Sequence, residues 1–237
     1  MASGIYVPMA GAVAQSQGLD IVANNLANVS TAGFRAERPS FEAVLGKTNA
    51  QDQRYVVVGK SGSDLTPGTM VETENPLDVA IEGDGLFAVQ TPAGKRYTRD
   101  GQFRLDDAGR LTTKEGFAVL NDQDSPIVIG KSSAQVEIEE RGEILIDGKQ
   151  VGSLAIARFL PTALQREGKN LFSATGAALP DDKNIKVISG ATEQSNVNPV
   201  RGIVEMIRVS RTYEALHRMI ESNKEIDERT ARGFGNG

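Results

Sequence analysis

Residues 5–34 read IYVPMAGAVAQSQGLDIVANNLANVSTAGF. Within this stretch Ile5, Met9, Ala12, Ser16, Leu19, Ala23 and Leu26 alternate spacings of four and three. That is a heptad seam, and it predicts a helix packed lengthwise on another helix. The seam holds alanine and serine, so close approach matters more than bulk. Pro8 falls in the first turns, where proline can start a helix. Gly11 and Gly18 each weaken the helix by about 1 kcal/mol relative to alanine, so its stability must come from packing. The run closes at STAGF, where Gly33 is a natural left-handed residue that turns the chain out and Phe34 is an apolar anchor. Asn24, Asn25 and Asn28 lie off the seam near the helix end. Each amide carries two donors and an acceptor. Two readings follow: they cap and solvate the helix end, or they bond a neighbouring subunit and fix its register. The second is favoured.

The other end of the chain repeats the pattern. Ile203, Met206, Ser210, Tyr213, His217 and Ile220 again alternate three and four, and Val209, Leu216 and Met219 widen the stripe. Ser195, Asn196 and Asn198 give a capping signal, with Pro199 at a first-turn position. The spacing predicts a helix over 197–227, on the order of 45 Å long at 1.5 Å per residue. Charged residues fill its other face, and the tail RGFGNG is expected to fray.

Everything between is different. Stretches such as LDVAIEGDGLFAVQ, KRYTRDGQFRLDDAGRLTTKEGFAVL and AQVEIEERGEILIDGKQVGSLAIARFL alternate apolar and polar residues. Asp-Gly and similar pairs punctuate them, as hairpin turns require. Residues 47–74 are polar and read as a connector. The expected fold class is therefore α+β, with N- and C-terminal long helices forming a coiled-coil-like inner domain and an antiparallel β-rich middle domain. The expected boundaries are a helix over 1–35, an extended connector over 36–75, a β-rich outer domain over 76–194, and a helix with a frayed tail over 195–237.

Composition narrows the function. The chain has 237 residues, a formal charge of −5, no cysteine and one histidine. A mild acidic balance argues against a nucleic-acid partner, whose footprint is basic. Without cysteine there is no disulfide and no thiolate metal site. The first residues lack the basic segment and apolar core of a cleaved signal peptide, and no apolar run approaches the length of a membrane span. GKS at 59–61 lacks the upstream glycine of a phosphate loop, because Arg54 stands in its place. EGDG at 82–85 lacks the third glycine of a dinucleotide fingerprint. Asp106-Asp107 and Asp181-Asp182 lack the alternating acids of a calcium loop. His217, alone on the C-terminal stripe, is read as a helix-contact residue rather than a metal ligand. No catalytic, cofactor or metal residue is assigned, and the chain is not read as an enzyme. The information lies at the two ends, in surfaces made for helix packing.

The residues resemble a known family. ANNLANVSTAGF, NPLDVAIEGDGLFAVQTPAGKRYTRDGQFRLDDAGRL, GSLAIARF, GKNLFSATG and SNVNPVRGIVEMIRVSRTYEALHRMI occur in the order found in bacterial flagellar axial proteins. Within that family the chain is most similar to the basal-body rod proteins of the F type, with the G type as the alternative. The resemblance implies a structural subunit whose terminal helices polymerise into an axial drive shaft, with the β domain outside. It implies copies of itself and neighbouring rod proteins as partners, passage through the flagellar type III export apparatus without a cleaved leader, and a periplasmic rod position. Wall hydrolases or ring proteins that accompany the rod are further partners it allows. The expected subunit-interface residues are Ile5, Met9, Ala12, Leu19, Ala23, Asn24, Asn25, Leu26, Asn28, Ile203, Met206, Tyr213, Leu216, His217 and Ile220, with Gly33 and Phe34 at a structural turn. A secreted β-domain binding module and a wall-degrading hydrolase are the rival classes. The paired heptads argue against the first, and the absence of an acid pair or metal cluster argues against the second.

Overall fold

The computed structural model describes residues 3–48, 51–59, 61–130, 136–168, 170–180 and 185–234. Asp181 and Asp182 lie outside the described residues, as do the last three residues of the tail expected to fray. Along the sequence a β-rich middle lies between two helices: α1 spans Ser3–Ala27 and α2 spans Pro199–Phe234. The chain divides into two compact units. One holds residues 1–27, 37–64 and 198–237; the other holds residues 28–36 and 65–197.

In the helical unit α1 and α2 pack on each other, and α1 also packs on strand Gln51–Val58. That strand forms a hairpin with Phe41–Thr48, and Glu37–Arg38 pairs with Gly62–Ser63. The segment over 36–75 thus carries several strands. Asn198 caps α2: its side-chain oxygen accepts the Arg201 amide at 3.0 Å, and Pro199 follows at the first position. Pro8 does not start α1 but sits inside it.

The expected coiled-coil-like inner domain is not what these residues form. A coiled coil would bury the seam of α1 and leave the rest of that helix to solvent. Instead Pro8, Ala14, Gly18 and Val22 are buried together with the seam's Ala12, while seam residues Met9, Ser16 and Ala23 are exposed. At about 3.6 residues per turn, the buried arc is centred roughly a quarter-turn from the seam. The physical reason is that α1 has two neighbours, a helix and a β-hairpin, so its buried surface is a broad arc of small residues rather than a narrow stripe. Glycine and alanine allow that approach without registering as hydrophobic periodicity.

The β-rich unit is antiparallel throughout its named strands. Its main sheet runs Leu164–Glu167, Leu171–Ala174, Gly94–Thr98, Leu86–Thr91, Ala118–Val119, Leu111–Thr112, Arg104–Leu105, and Ile156–Ala157 also pairs with Leu86–Thr91. A second sheet joins Val136–Ile138, Glu143–Ile146 and Lys149–Ser153. Lys186–Ser189 pairs with Val79–Glu82, and Ala191–Glu193 with Met70–Glu72. Val79, Ile81, Phe87, Val89, Leu111, Val119 and Ile144 form a sealed core, with Phe103 edge-on to Phe87 at 5.1 Å. Each such side chain contributes about 1.5–3 kcal/mol by leaving water. The Asp100-Gly101 pair, which the sequence suggests is a hairpin turn, has another role. A Cβ on Gly101 would lie 1.7 Å from the Val79 carbonyl oxygen, so glycine is there to let two backbones touch.

Candidate functional site

The helix pair is antiparallel. Gly11 of α1 faces Leu216 of α2, and Gly202 of α2 faces Leu26 of α1. A Cβ at Gly11 would crowd Leu216 at 3.3 Å, whereas one at Gly202 would only touch Leu26 at 3.7 Å. On α2 the side chains turned inward are Met206, Val209, Tyr213, Leu216 and Ile220, buried or half-buried. On α1 Ile5, Leu19 and Leu26 are half-buried and Ala12 is buried. Of the other expected interface residues, Met9, Ala23 and Asn24 on α1 and Ile203 and His217 on α2 face outward within this chain, whereas Asn25 and Asn28 do not. His217 lies 3.8 Å from Glu221 and edge-on to Tyr213.

Periodicity alone does not single out one further surface. On the first turns of α2, Val200, Ile203, Val204 and Ile207 line up at helical spacing and are exposed, Val200 by 71% and Val204 by 62%. Tyr6, Met9 and Val13 do the same on α1. Met9 and Ile203 were expected at a subunit interface, but Val200, Val204, Ile207, Tyr6 and Val13 lie off the seams, and one seam per helix assigns them no partner.

The three asparagines separate. Asn25 uses its amide inside the chain: its nitrogen donates to the Glu37 carbonyl and its oxygen accepts the Glu37 amide, both at 2.8 Å. This pair copies a backbone ladder and starts the strand Glu37–Arg38. Asn28 is buried just past the helix end, where its carbonyl accepts the Thr31 amide and its side-chain oxygen accepts the Thr31 hydroxyl. Asn24 stays on the outer face of α1.

The β-rich unit contains a polar cluster. Gly33 has φ +66°, and a Cβ there would stand 2.4 Å from the carbonyl carbon of Arg99 and the nitrogen of Asp100. Only glycine fits both restrictions. Its amide donates to the Glu193 carbonyl at 2.7 Å. Phe34, next in the chain, is fully enclosed, and the guanidinium of Arg166 lies between its ring at 4.7 Å and that of Phe172 at 5.2 Å. Arg166 also donates to the Arg35 carbonyl.

At the centre sits Glu193, whose side chain has no solvent exposure. One carboxylate oxygen accepts from Arg35 at 2.5 Å and from the Gly68 amide at 2.7 Å; the other accepts from Arg99 Nε at 2.5 Å. Arg99 further donates to the carbonyls of Gly85 and Ile81, and Arg35 to that of Thr66. Burying charges is costly unless each is paired and hydrogen-bonded, and here the carboxylate and both guanidiniums are. Beside the cluster, burial pushes the Asp100 carboxyl up to about 6, opposed by the Gln102 amide it accepts and reinforced by the charge of Glu115. Asn170 bridges Asp100 and the carbonyl of Ala32. Sequence reasoning missed Arg35, Arg99 and Glu193, because charged residues in or beside short strands read as solvent-facing.

Among the described residues no group of three or more acids or histidines is placed to hold a metal, and no helix is long and apolar enough to cross a membrane. Three family models match: "Flagella basal body rod protein" over residues 5–35, "Flagellar hook protein FlgE/F/G D1 domain" over 80–146, and "Flagellar basal body rod FlgEFG protein C-terminal" over 188–232. The flagellar basal-body rod protein FlgF of Mesorhizobium japonicum is 33% identical over 90% of each chain. That of Escherichia coli K12 is 33% identical over 98% of this chain and 97% of its own. The rod protein FlgG of Bacillus subtilis is 29% identical over 95% and 97%. The chain belongs to the flagellar basal-body rod protein family.

Proposed function

We propose that this chain is the F-type rod subunit, placed in the proximal rod, and that it polymerises with its own copies and neighbouring rod proteins into the shaft that carries torque from motor to hook. The observation that carries the reading is the apolar stripe Val200, Ile203, Val204 and Ile207, left exposed after α1 and α2 have packed together. A contiguous exposed apolar face of this kind marks an interaction surface. Met9 and Val13 extend the same chemistry on α1. A different patch on each side makes the contact heterologous, which builds a helical tube when the rotation does not close.

The inward residues Ala12, Leu19, Leu26, Met206, Tyr213, Leu216 and Ile220 then shape the helix pair, and Ala23, Asn24, Ile203 and His217 face neighbouring subunits. The role is structural, not enzymatic. Export through the flagellar type III apparatus and assembly in the periplasm follow from the same reading, and a wall hydrolase is an accessory partner.

The test is Val204→Asp, compared with wild type for rod formation in cells and for circular dichroism of the purified chain. The expected result is loss of rods with the β signal retained. Normal motility would overturn the reading.

A further inference from the structure

Four covalent connections join the two units, at 27/28, 36/37, 64/65 and 197/198. On the β-rich side they all lead into three short segments: residues 28–36, which carry two of them, residues 65–69, and residues 193–197. These segments are bound to one another. Glu193 accepts from Arg35 and from Gly68 through its carboxylate, and from Gly33 through its carbonyl. The Asn196 side chain accepts the Ala36 amide at 2.7 Å and donates to the Thr66 carbonyl at 2.9 Å, and its own amide donates to Phe34. Gln194 donates to the Thr69 carbonyl at 2.8 Å. Gly68 is packed so closely on this segment that a Cβ would fall 1.9 Å from the Gln194 carbonyl oxygen. Arg99 anchors the same carboxylate to the strand ends at Ile81 and Gly85.

We propose that Glu193 is the positioning residue of a mechanical joint, which makes the roots of all four connections move as one body with the sheet. The load-bearing part of this inference rests on the rod reading above; the joint itself does not. Separate roots would each yield alone under torque. Roots tied to one buried carboxylate share the load, because no segment can shift without stretching a charge-assisted hydrogen bond to the others. Asn196 makes the second tie, to the roots at Ala36 and Thr66.

The test uses the purified full-length chain and Glu193→Gln, which keeps the shape and removes the charge. Hydrogen exchange should quicken roughly tenfold or more at the Gly68 amide, which loses a charged acceptor, and also at the Gly33 amide, because the segments yield together. Amides in strand Leu86–Thr91 should keep their protection. Unchanged exchange at Gly33 and Gly68 overturns the proposal, and so does equal loss across Leu86–Thr91, which would make Glu193 an ordinary core residue. If Glu193→Gln does not fold, Asn196→Ala serves instead, with Ala36 as the reporting amide; unchanged exchange there overturns the proposal equally. In cells, either variant should form rods and swim, with speed falling more steeply than wild type as the medium is made viscous. A fall parallel to wild type overturns the load-bearing role. Absence of the wild-type chain from isolated rods would overturn the rod reading alone, since the exchange experiment judges the joint independently.

Discussion

In the β-rich unit Phe87 and Val89 have no exposure to solvent, whereas in the helical unit Val200 and Val204, equally apolar, are mostly exposed. The β-rich unit also has exposed apolar residues, such as Val71, Val128 and Leu160, but they do not form a row on one element. Scattered residues of that kind are ordinary. The contrast teaches that the two units solve different problems. One closes a core within a single chain. The other packs its helix pair around Leu19, Leu26, Met206, Val209 and Leu216 and leaves an apolar row on each helix for something else to cover.

Four substitutions would break or sharpen this contrast, from the largest expected effect on the isolated chain to the smallest. Phe87→Ala removes a sealed ring from the closed core and should cost about 3–5 kcal/mol in a urea melt of the β-rich unit. Gly33→Ala should cost at least about 2 kcal/mol, since the new methyl meets the backbone at Arg99 and Asp100 and the φ is wrong for alanine. A melt within experimental error of wild type would show that the turn relaxes freely.

Asp100→Asn tests pH dependence. Burial raises the folded carboxyl from 3.8 to about 6, so the folded chain holds this proton more tightly than the unfolded chain does. The stability this group contributes is therefore full below its unfolded value and is lost as pH rises through about 6. Asparagine cannot ionise, so the variant should be the more stable chain near neutral pH by roughly 2–3 kcal/mol. The two should converge in acid, at about pH 3.5. Thermal melts across that range check both the sign and the window; a variant less stable near neutrality would reverse the argument. Val204→Asp, last, should leave the melting of the isolated chain within about 0.5 kcal/mol of wild type, because the side chain is exposed. Its effect belongs to assembly alone.

These contrasts also explain what the sequence disclosed. Two terminal helices were legible because Leu19, Leu26, Val209 and Leu216 repeat at helical spacing, and Asn198-Pro199 announces the start of the second. Antiparallel strands were legible from alternation around glycine pairs. The inward face of α1 was not, because Ala14 and Gly18, which are buried, carry little or no hydrophobic signal. The Glu193 cluster was not legible either. Its partners Arg35, Gly68 and Arg99 come from separate places in the chain, and only the folded topology makes them neighbours. The same holds for Asn25, whose polar side chain reads as a cap or a contact and instead copies a backbone strand for Glu37.

The Asn196 side chain holds Ala36 with its oxygen and Thr66 with its nitrogen. The 29 residues between those two points, strands included, are thus an excursion that starts and ends on one amide. The closure of such a loop is fixed by the unit it leaves, so changing its length costs little, since closure entropy grows only slowly with loop length. Evolution can lengthen, shorten or replace this segment without reopening the β core.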